Sequence, residues 1–266
     1  MVNESNDTNK IHERPVAIIT GAARGIGLGI AQRFLKENYS VVLLDKDEQT
    51  LNSTHEWLAA NHNTIAMSCD VSDPEQVNRV IQNVIDQFGR IDVLINNAGI
   101  AIFKPALEVS FQDWSDVMST NLNGTFLCTQ ACIPTMIKQQ KGAVVNIASI
   151  SGVRASTLRI AYGTSKAAIM HLTKQQAVEY GLEGIRINAI APGPVETEMA
   201  KLVHSADIRT SYSDAIPLAR YGTINEIANA VYFLCSDEAS YINGQILCVD
   251  GGFDAAGVGL PSLRKS

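Results

Sequence analysis

Apolar positions along the chain fall into short continuous runs that alternate with longer stretches of helical periodicity. Seven β-branched, apolar runs predict buried strands at 15–20, 40–45, 64–70, 91–96, 142–149, 185–192 and 245–250. Six stretches between them repeat apolar residues at the helical period: 25–37, 47–61, 74–88, 111–138, 161–181 and 224–235. Strands that are apolar on both faces suit a parallel sheet covered by helices on each side. The pattern therefore predicts an α/β fold, a doubly wound seven-stranded parallel sheet with right-handed crossovers.

Nothing in the chain divides this pattern, so we predict one domain over residues 15–252. Residues 1–14 are polar and form a predicted flexible leader rather than a secretory signal, because they contain no apolar core. The stretch 193–223 lacks a clear period and is the place with room for a flap over a substrate. Residues 253–266 continue past the last predicted strand as a tail.

Composition narrows the function classes. The formal net charge is −6 and the Lys and Arg residues are scattered, which predicts no nucleic-acid partner. No apolar run approaches the ~18 residues that a membrane span needs, so we expect no membrane partner. Five cysteines without a C-x-x-C pair favour reduced thiols and a cytoplasmic location. Cys128 and Cys132 share a helix face, but no nearby His or acid completes a metal site, and we interpret them as core residues.

A glycine-rich turn follows the first predicted strand. The segment TGAARGIG places Gly21, Gly25 and Gly27 between that strand and a helix. Glycines there permit a tight turn and a close ligand approach, and the helix N-terminus offers free N–H groups to a pyrophosphate. The spacing is G-x-x-x-G-x-G rather than G-x-G-x-x-G, and a glycine turn at this place is also a common structural solution.

Asp45 ends the second predicted strand, where an acid accepts a hydrogen bond from a ribose 2′-hydroxyl. A carboxylate at that place also repels a 2′-phosphate, which favours NAD over NADP. Arg24 and Lys46 act in the opposite direction, since either could pair with a 2′-phosphate. We expect NAD as the cofactor, and NADP stays the alternative.

A tyrosine and a lysine lie one helical turn apart in YGTSK, at Tyr162 and Lys166. That pair is a weak signal alone, but the chain also carries TGAARGIG, CDVSD, NNAG, NLNGTF, Ser149 and PGPVET in order. Together these motifs resemble the short-chain dehydrogenase/reductase superfamily, in its single-domain branch, over about residues 15–252. The resemblance implies a Rossmann-type fold and an NAD(P)(H)-dependent oxidoreductase.

The resemblance also implies which residues act. The implied catalytic residues are Asn121, Ser149, Tyr162 and Lys166. The implied cofactor-binding residues are Gly21, Arg24, Gly25, Ile26, Gly27, Asp45, Asp70, Val71, Asn97, Ala98, Gly99, Tyr162, Lys166, Pro192, Val195 and Thr197. Tyr162 is the expected proton donor and acceptor, with its pKa lowered by the Lys166 ammonium and the nicotinamide. Ser149 is expected to hold the substrate oxygen, Lys166 the ribose hydroxyls, and Asn121 a water connected to Lys166.

The substrate is less constrained than the reaction. His204, Arg209 and Tyr212 in the predicted flap, and Arg154 and Arg159 after the fifth strand, could line a pocket for a small polar substrate. A sugar, polyol or hydroxy acid is the leading expectation. One alternative is an NADPH-dependent 3-oxoacyl-[acyl-carrier-protein] reductase, and another is a non-catalytic dinucleotide-binding scaffold.

Assembly is also an expectation drawn from the family. Members are usually homotetramers or homodimers that pair the helices at 111–138 and 161–181 and the final strand. We expect the tail to cross to a neighbouring subunit near its active site, with a frayed terminus as the alternative.

Overall fold

Seven parallel strands form one sheet at the centre of the computed structural model, which describes residues 14–59 and 63–257. The strands are β1 (Val16–Thr20), β2 (Ser40–Asp45), β3 (Thr64–Ser68), β4 (Val93–Asn96), β5 (Gly142–Ile147), β6 (Ile185–Pro192) and β7 (Ile246–Val249). Their order in the sheet is β3-β2-β1-β4-β5-β6-β7, and every pairing is parallel. The predicted doubly wound, single-domain α/β fold is confirmed.

Helices connect the strands and cover both faces of the sheet. They are α1 (Gly25–Lys36), α2 (Glu48–Ala59), α3 (Pro74–Phe88), α4 (Phe111–Met118), α5 (Gly124–Gln139), α6 (Ile150–Val153), α7 (Ile160–Tyr180), α8 (Glu198–Val203), α9 (Ala206–Ala215) and α10 (Ile224–Cys235). Single 3₁₀ turns occupy Ala106–Glu108, Gly181–Glu183 and Asp237–Ala239. None of the helices in the described ranges is both long enough and apolar enough to cross a bilayer.

Alternate residues of β1 pack into core clusters on opposite faces of the sheet. Ile19 of β1 packs in a cluster with Phe34 of α1 and Val231 of α10 on one face. Ile18 packs with Val84 of α3 and other residues on the opposite face. Cys128 and Cys132 are buried in that second cluster as free thiols, in agreement with their interpretation as core residues.

The chain reverses its direction of winding between β1 and β4. From β1 the sheet grows outward to β2 and β3, and β4 then returns to the other side of β1. Ligands of open α/β sheets bind in the crevice at the carboxyl ends of the strands beside such a switch point. The fold therefore directs attention to the loops that follow β1, β4, β5 and β6.

Two stretches differ from the expectation drawn from the sequence. The predicted irregular segment 193–223 contains α8 and α9, which begin after the capping residues Thr197 and Ser205. The predicted continuous helix 111–138 is interrupted by a π-helical turn over Ser119–Asn123. Propensity misses both features, because short capped helices give little periodicity and a π turn depends on tertiary contacts.

The predicted leader and most of the tail lie outside the described residues. Of the leader 1–14 only Arg14 is described, and of the tail 253–266 only residues 253–257. The expected crossing of the tail to a neighbouring subunit therefore stays a prediction.

Candidate active site

The turn between β1 and α1 is shaped by three glycines. Gly21 and Gly25 have positive φ angles of +63° and +60°, a region that favours glycine. A methyl group on Gly27 would collide with the Gly21 carbonyl and lie 2.6 Å from Asn97 Nδ2. A methyl group on Gly25 would meet nothing within 4 Å, so open space borders this part of the turn.

The N-terminus of α1 is free to bind an anion. Arg24 occupies the N-cap position without making a side-chain cap, and the first helical hydrogen bond, at 3.3 Å, runs from Leu28 N to Arg24 O. By contrast, Asp73 caps α3 by accepting from two backbone N–H groups. Uncapped N–H groups beside open space, at the positive end of the helix dipole, fit a dinucleotide pyrophosphate.

Asn97, after β4, joins the glycine turn to the neighbouring strand. Its Nδ2 donates to the carbonyls of Thr20 at 2.9 Å and Gly21 at 3.0 Å. The backbone N–H groups of Asn97 and Ala98 both donate to Thr20 Oγ1, each at 3.0 Å. These bonds fix the two loops that border the switch point.

Asp45 lies at the carboxyl end of β2 and faces the glycine turn. Its carboxylate accepts from the backbone N–H of Ala23 at 3.1 Å and of Asp47 at 3.0 Å. Arg24 forms an ion pair with Asp47 at 3.1 Å, and Lys46 is exposed. The structure thus weakens one of the two arguments for a 2′-phosphate, because the Arg24 guanidinium already has an acidic partner.

Asp70 and Val71 follow β3 beside this region. The Asp70 carboxylate accepts from the backbone N–H and hydroxyl of Ser72, at 2.9 and 2.7 Å. Val71 is buried, and a methyl group on Gly124 would lie 2.6 Å from its side chain. Contact of these two residues with an adenine stays a prediction.

Ser149 and Tyr162 meet at the carboxyl end of β5. Ser149 begins α6, and its Oγ accepts from Ser151 N at 3.1 Å. Burial raises the pKa of Tyr162, while a hydrogen bond from the Ser149 hydroxyl and the positive charge of Arg159 act in the lowering direction. For the chain's own residues the net direction is opposite to the predicted lowering.

Lys166, the expected source of positive charge, is itself buried beside Tyr162. Its Nζ donates to the Ile147 carbonyl at 2.7 Å and lies 5.7 Å from the centre of the Tyr162 ring. The residue is only 4% exposed, and burial lowers the pKa of its ammonium to about 8. Burial of Tyr162 itself is thus the largest influence on its pKa.

Asn121 lies in the π-helical turn and is completely buried. Its Oδ1 accepts from Ile100 N at 2.8 Å, and its Nδ2 donates to Ile100 O at 3.0 Å and to Ser165 Oγ at 2.9 Å. A methyl group on Gly99 would lie 3.2 Å from Asn121 Oδ1 and 3.5 Å from Lys166 Nζ. Asn121 thus holds the loop after β4 close to Lys166, and its role toward a water stays a prediction.

A cavity of about 240 Å³ joins these elements. Its lining brings together the predicted residues Ile26, Asn97, Gly99, Ser149, Tyr162, Lys166, Pro192, Val195 and Thr197. Gly21, Arg24, Gly25, Gly27, Asp45, Asp70, Val71, Ala98 and Asn121 do not line it. The first group borders the space beside Tyr162, and most of the second group follows the strand ends toward β2 and β3.

The residues considered for substrate binding separate in the same way. Arg159, His204 and Tyr212 line the cavity. Arg154 does not line it: its guanidinium donates to Phe253 O at 2.6 Å. Arg209 does not line it either and forms an ion pair with Glu196.

Sequence reasoning missed several supporting groups. Ser165 accepts from Asn121 and donates to the Tyr162 carbonyl at 2.8 Å, although it stands inside the YGTSK motif where it could have been noticed. Tyr221 bonds His204 Nδ1 at 3.0 Å. Nothing in the local sequence marks that contact, because the two residues lie 17 positions apart.

Comparison with known proteins agrees with the geometry. A family model described as enoyl-(acyl carrier protein) reductase matches residues 21–254. The 3-oxoacyl-[acyl-carrier-protein] reductase FabG of Staphylococcus aureus (strain Mu50 / ATCC 700699) is 38% identical over 238 residues, which cover 89% of this chain and 96% of that protein.

Two solved structures are also similar along nearly their whole length. Levodione reductase is 36% identical with a TM-score of 0.86, over 91% of this chain and 98% of that chain. A gluconate 5-dehydrogenase from Burkholderia cenocepacia J2315, in complex with NADP and tartrate, is 31% identical with a TM-score of 0.87. That similarity covers 94% of this chain and 100% of the other.

Proposed function

The chain belongs to the short-chain dehydrogenase/reductase family, and from that premise we propose that it interconverts a small polar secondary alcohol and its ketone with NAD(H). Membership makes it an enzyme that acts on CH–OH groups with a nicotinamide dinucleotide. The observation that carries the proposal is the cavity in which the Ser149 and Tyr162 hydroxyls meet, beside the strand ends that fit a dinucleotide.

Asp45 supports NAD rather than NADP. Its carboxylate is fixed by two backbone N–H groups at the end of β2, where a ribose 2′-hydroxyl would donate to it. Asp47 neutralises Arg24, so the acidic character of this corner dominates. Lys46 remains the residue that favours NADP.

In the proposed reaction, Tyr162 receives the alcohol proton during oxidation and returns it during reduction. Ser149 Oγ accepts from Ser151 N, which leaves its own proton free for a hydrogen bond to the substrate oxygen or to Tyr162. The bound nicotinamide supplies or accepts the hydride. The described part of the chain thus supplies proton transfer and orientation at one end of the cavity.

Lys166 and Asn121 position the groups around Tyr162. Lys166 Nζ uses one N–H on Ile147 O and has others for the ribose hydroxyls. Asn121 fixes the Ile100 backbone and Ser165, so it sets the width of the site at Gly99. We propose that α8 and α9, within 193–223, form the flap, because His204 and Tyr212 line the cavity from these segments.

A second candidate function is reduction of a 3-oxoacyl group on acyl-carrier protein, which is the alternative that the sequence analysis left open. The curated relatives favour it over a small polar alcohol, since those of 36–39% identity are 3-oxoacyl-[acyl-carrier-protein] reductases. The Asp45 carboxylate disfavours NADPH, which is the cofactor expected for a 3-oxoacyl reductase. The gluconate 5-dehydrogenase neighbour and the polar lining from Arg159 and His204 support the first candidate.

The experiment that separates them is a substrate panel followed by nicotinamide absorbance. Polyols, sugars and hydroxy acids are offered with NAD⁺ and NADP⁺, and a 3-oxoacyl thioester with NADH and NADPH. We expect turnover of a polar alcohol, with NAD⁺ preferred over NADP⁺. Turnover of the thioester alone, with NADPH preferred, would establish the second candidate.

We also propose that the enzyme is cytoplasmic and forms a homotetramer or homodimer. Gel filtration with light scattering measures the oligomeric state.

A further inference from the structure

Arg159 lines the cavity close to Tyr162 in the sequence, and its guanidinium is held by two contacts. It directly precedes α7, three residues before Tyr162, and lines the same cavity as Ser149 and Tyr162. Its guanidinium donates from Nη1 to Ser151 Oγ at 3.2 Å and lies over the Phe103 ring at 5.1 Å. Stacking on an aromatic ring fixes the guanidinium plane without using its N–H groups.

Arg159 has no acidic partner within the described residues, and the other arginines considered for the site are engaged elsewhere. Arg209 pairs with Glu196, and Arg24 pairs with Asp47. Arg154, on the same loop as Arg159, donates to Phe253 O and stacks on that ring. Arg159 is therefore the arginine whose fork of N–H groups stays available beside Tyr162.

The described lining of the cavity contains cationic side chains and no carboxylate. The charge of Arg159 contributes to a lower pKa at both Tyr162 and His204, although burial is the larger influence on each. An uncompensated positive charge in a partly enclosed site favours an anionic ligand. His204, with Nδ1 bonded to Tyr221, adds a ring to the same wall.

We propose that Arg159 is a specificity-determining residue that binds the carboxylate of a small hydroxy acid or oxo acid while its carbinol or carbonyl oxygen lies at Tyr162. This inference rests on the proposed function, whose substrate class it narrows. Arg159 and Tyr162 line the same cavity of about 240 Å³, so one short molecule can contact both. A planar guanidinium matches a carboxylate with two parallel hydrogen bonds.

The first test measures binding and needs no turnover. NADH-loaded enzyme is titrated with D-gluconate and with sorbitol, which has the same chain length and a CH₂OH group in place of the carboxylate. We expect wild type to bind gluconate more tightly than sorbitol. Arg159→Gln should weaken gluconate binding by about 10- to 100-fold, as expected for loss of charged hydrogen bonds, and leave sorbitol binding nearly unchanged.

Two further variants serve as controls. Arg159→Lys keeps the charge but not the fork, so it should recover part of the gluconate affinity. Lys174→Gln removes one positive charge from the exposed side of α7 and should bind both probes as wild type does. A melting curve for each variant confirms folding.

The second test is a pH profile of kcat/KM on an uncharged substrate that turns over. Arg159 lowers the pKa of Tyr162, so Arg159→Gln should move the limb that reports Tyr162 to higher pH, which is the rising limb for alcohol oxidation and the falling limb for ketone reduction. A residue that only held the loop in place would change the rate without moving that limb.

The outcomes separate the two proposals. Equal weakening of gluconate and sorbitol in Arg159→Gln, or no gluconate binding by wild type, overturns the assignment of Arg159. Arg159-dependent gluconate binding without turnover of any polar alcohol upholds Arg159 and overturns the proposed function. Turnover of polyols with unchanged discrimination in Arg159→Gln upholds the function and overturns the role of Arg159.

Discussion

Replacing Asp45 by Asn is the sharpest test of the cofactor preference. Asn has nearly the same shape as Asp, and its Oδ1 can still accept from the Asp47 N–H as Asp45 does at 3.0 Å. What changes is the charge at the expected ribose 2′ position. The amide NH₂ of Asn also cannot accept the bond from Ala23 N that Asp45 Oδ2 accepts at 3.1 Å, so the substitution removes the charge and this one backbone contact together.

The magnitude follows from two contributions. A hydrogen bond to a charged acceptor exceeds one to a neutral acceptor by about 1 kcal/mol, so NADH should bind roughly 5-fold more weakly. A carboxylate about 5 Å from a 2′-phosphate charge is repelled by ~3 kcal/mol at an effective dielectric constant of 20. Because Asp45 is partly exposed, we discount that repulsion to about 2 kcal/mol, or roughly 30-fold in NADPH affinity. The NADH/NADPH affinity ratio should therefore fall by about 100-fold.

The assay is fluorescence titration with NADH and NADPH at fixed ionic strength. Asp86→Asn, which removes a carboxylate from exposed α3, is the matched control and should leave the ratio unchanged. Asp47→Asn should improve NADPH binding modestly, because it releases Arg24. A wild-type enzyme that prefers NADPH, or an Asp45→Asn ratio equal to wild type, would refute the reasoning.

Two other predictions concern the site's supporting residues. Gly27→Ala should lower the free energy of unfolding by about 2 kcal/mol or more and weaken NADH binding, because its methyl group collides with the Gly21 carbonyl. Urea unfolding and NADH titration measure the two effects. Wild-type values in both measurements would contradict the prediction. Lys166→Met should abolish turnover yet stabilise the enzyme at pH 7 by about 1–2 kcal/mol, since burial lowers the pKa of this ammonium from 10.5 to about 8. Between pH 8 and pH 10.5 the unfolded chain binds more protons than the folded enzyme, so the stability of wild type rises with pH in this range. In thermal unfolding, the stability advantage of Lys166→Met should therefore be smaller at pH 10 than at pH 7. A variant less stable than wild type at both pH values would contradict this.

Strand and helix positions were largely predictable because both carry strong periods. The predicted bounds 40–45 and 185–192 match β2 and β6, and 74–88 and 224–235 match α3 and α10. Asp73 and Thr223 are the N-caps of those two helices, and residues of these types before a helical pattern indicate a helix start. The parallel sheet followed from strands without a polar face.

The less predictable features depend on contacts between distant parts of the chain. The π turn that orients Asn121 ends where Gly124 packs against Val71, 53 positions earlier in the sequence. The low pKa of Lys166 arises from burial that no spacing reveals. The sequence also does not show which arginine of the cavity lacks an acidic partner, since Arg209 pairs with Glu196 only through the fold of residues 193–223.

The central claim is that Tyr162 transfers the proton in hydride exchange, and Tyr162→Phe tests it most directly. Phe keeps the ring but cannot exchange a proton, so NADH affinity and melting temperature should stay near wild type. Turnover of the best alcohol from the panel, followed by nicotinamide absorbance, should fall by about 10²- to 10⁴-fold, as expected for loss of a general acid–base. Turnover within a few-fold of wild type in a folded, NADH-binding Tyr162→Phe enzyme would contradict the account.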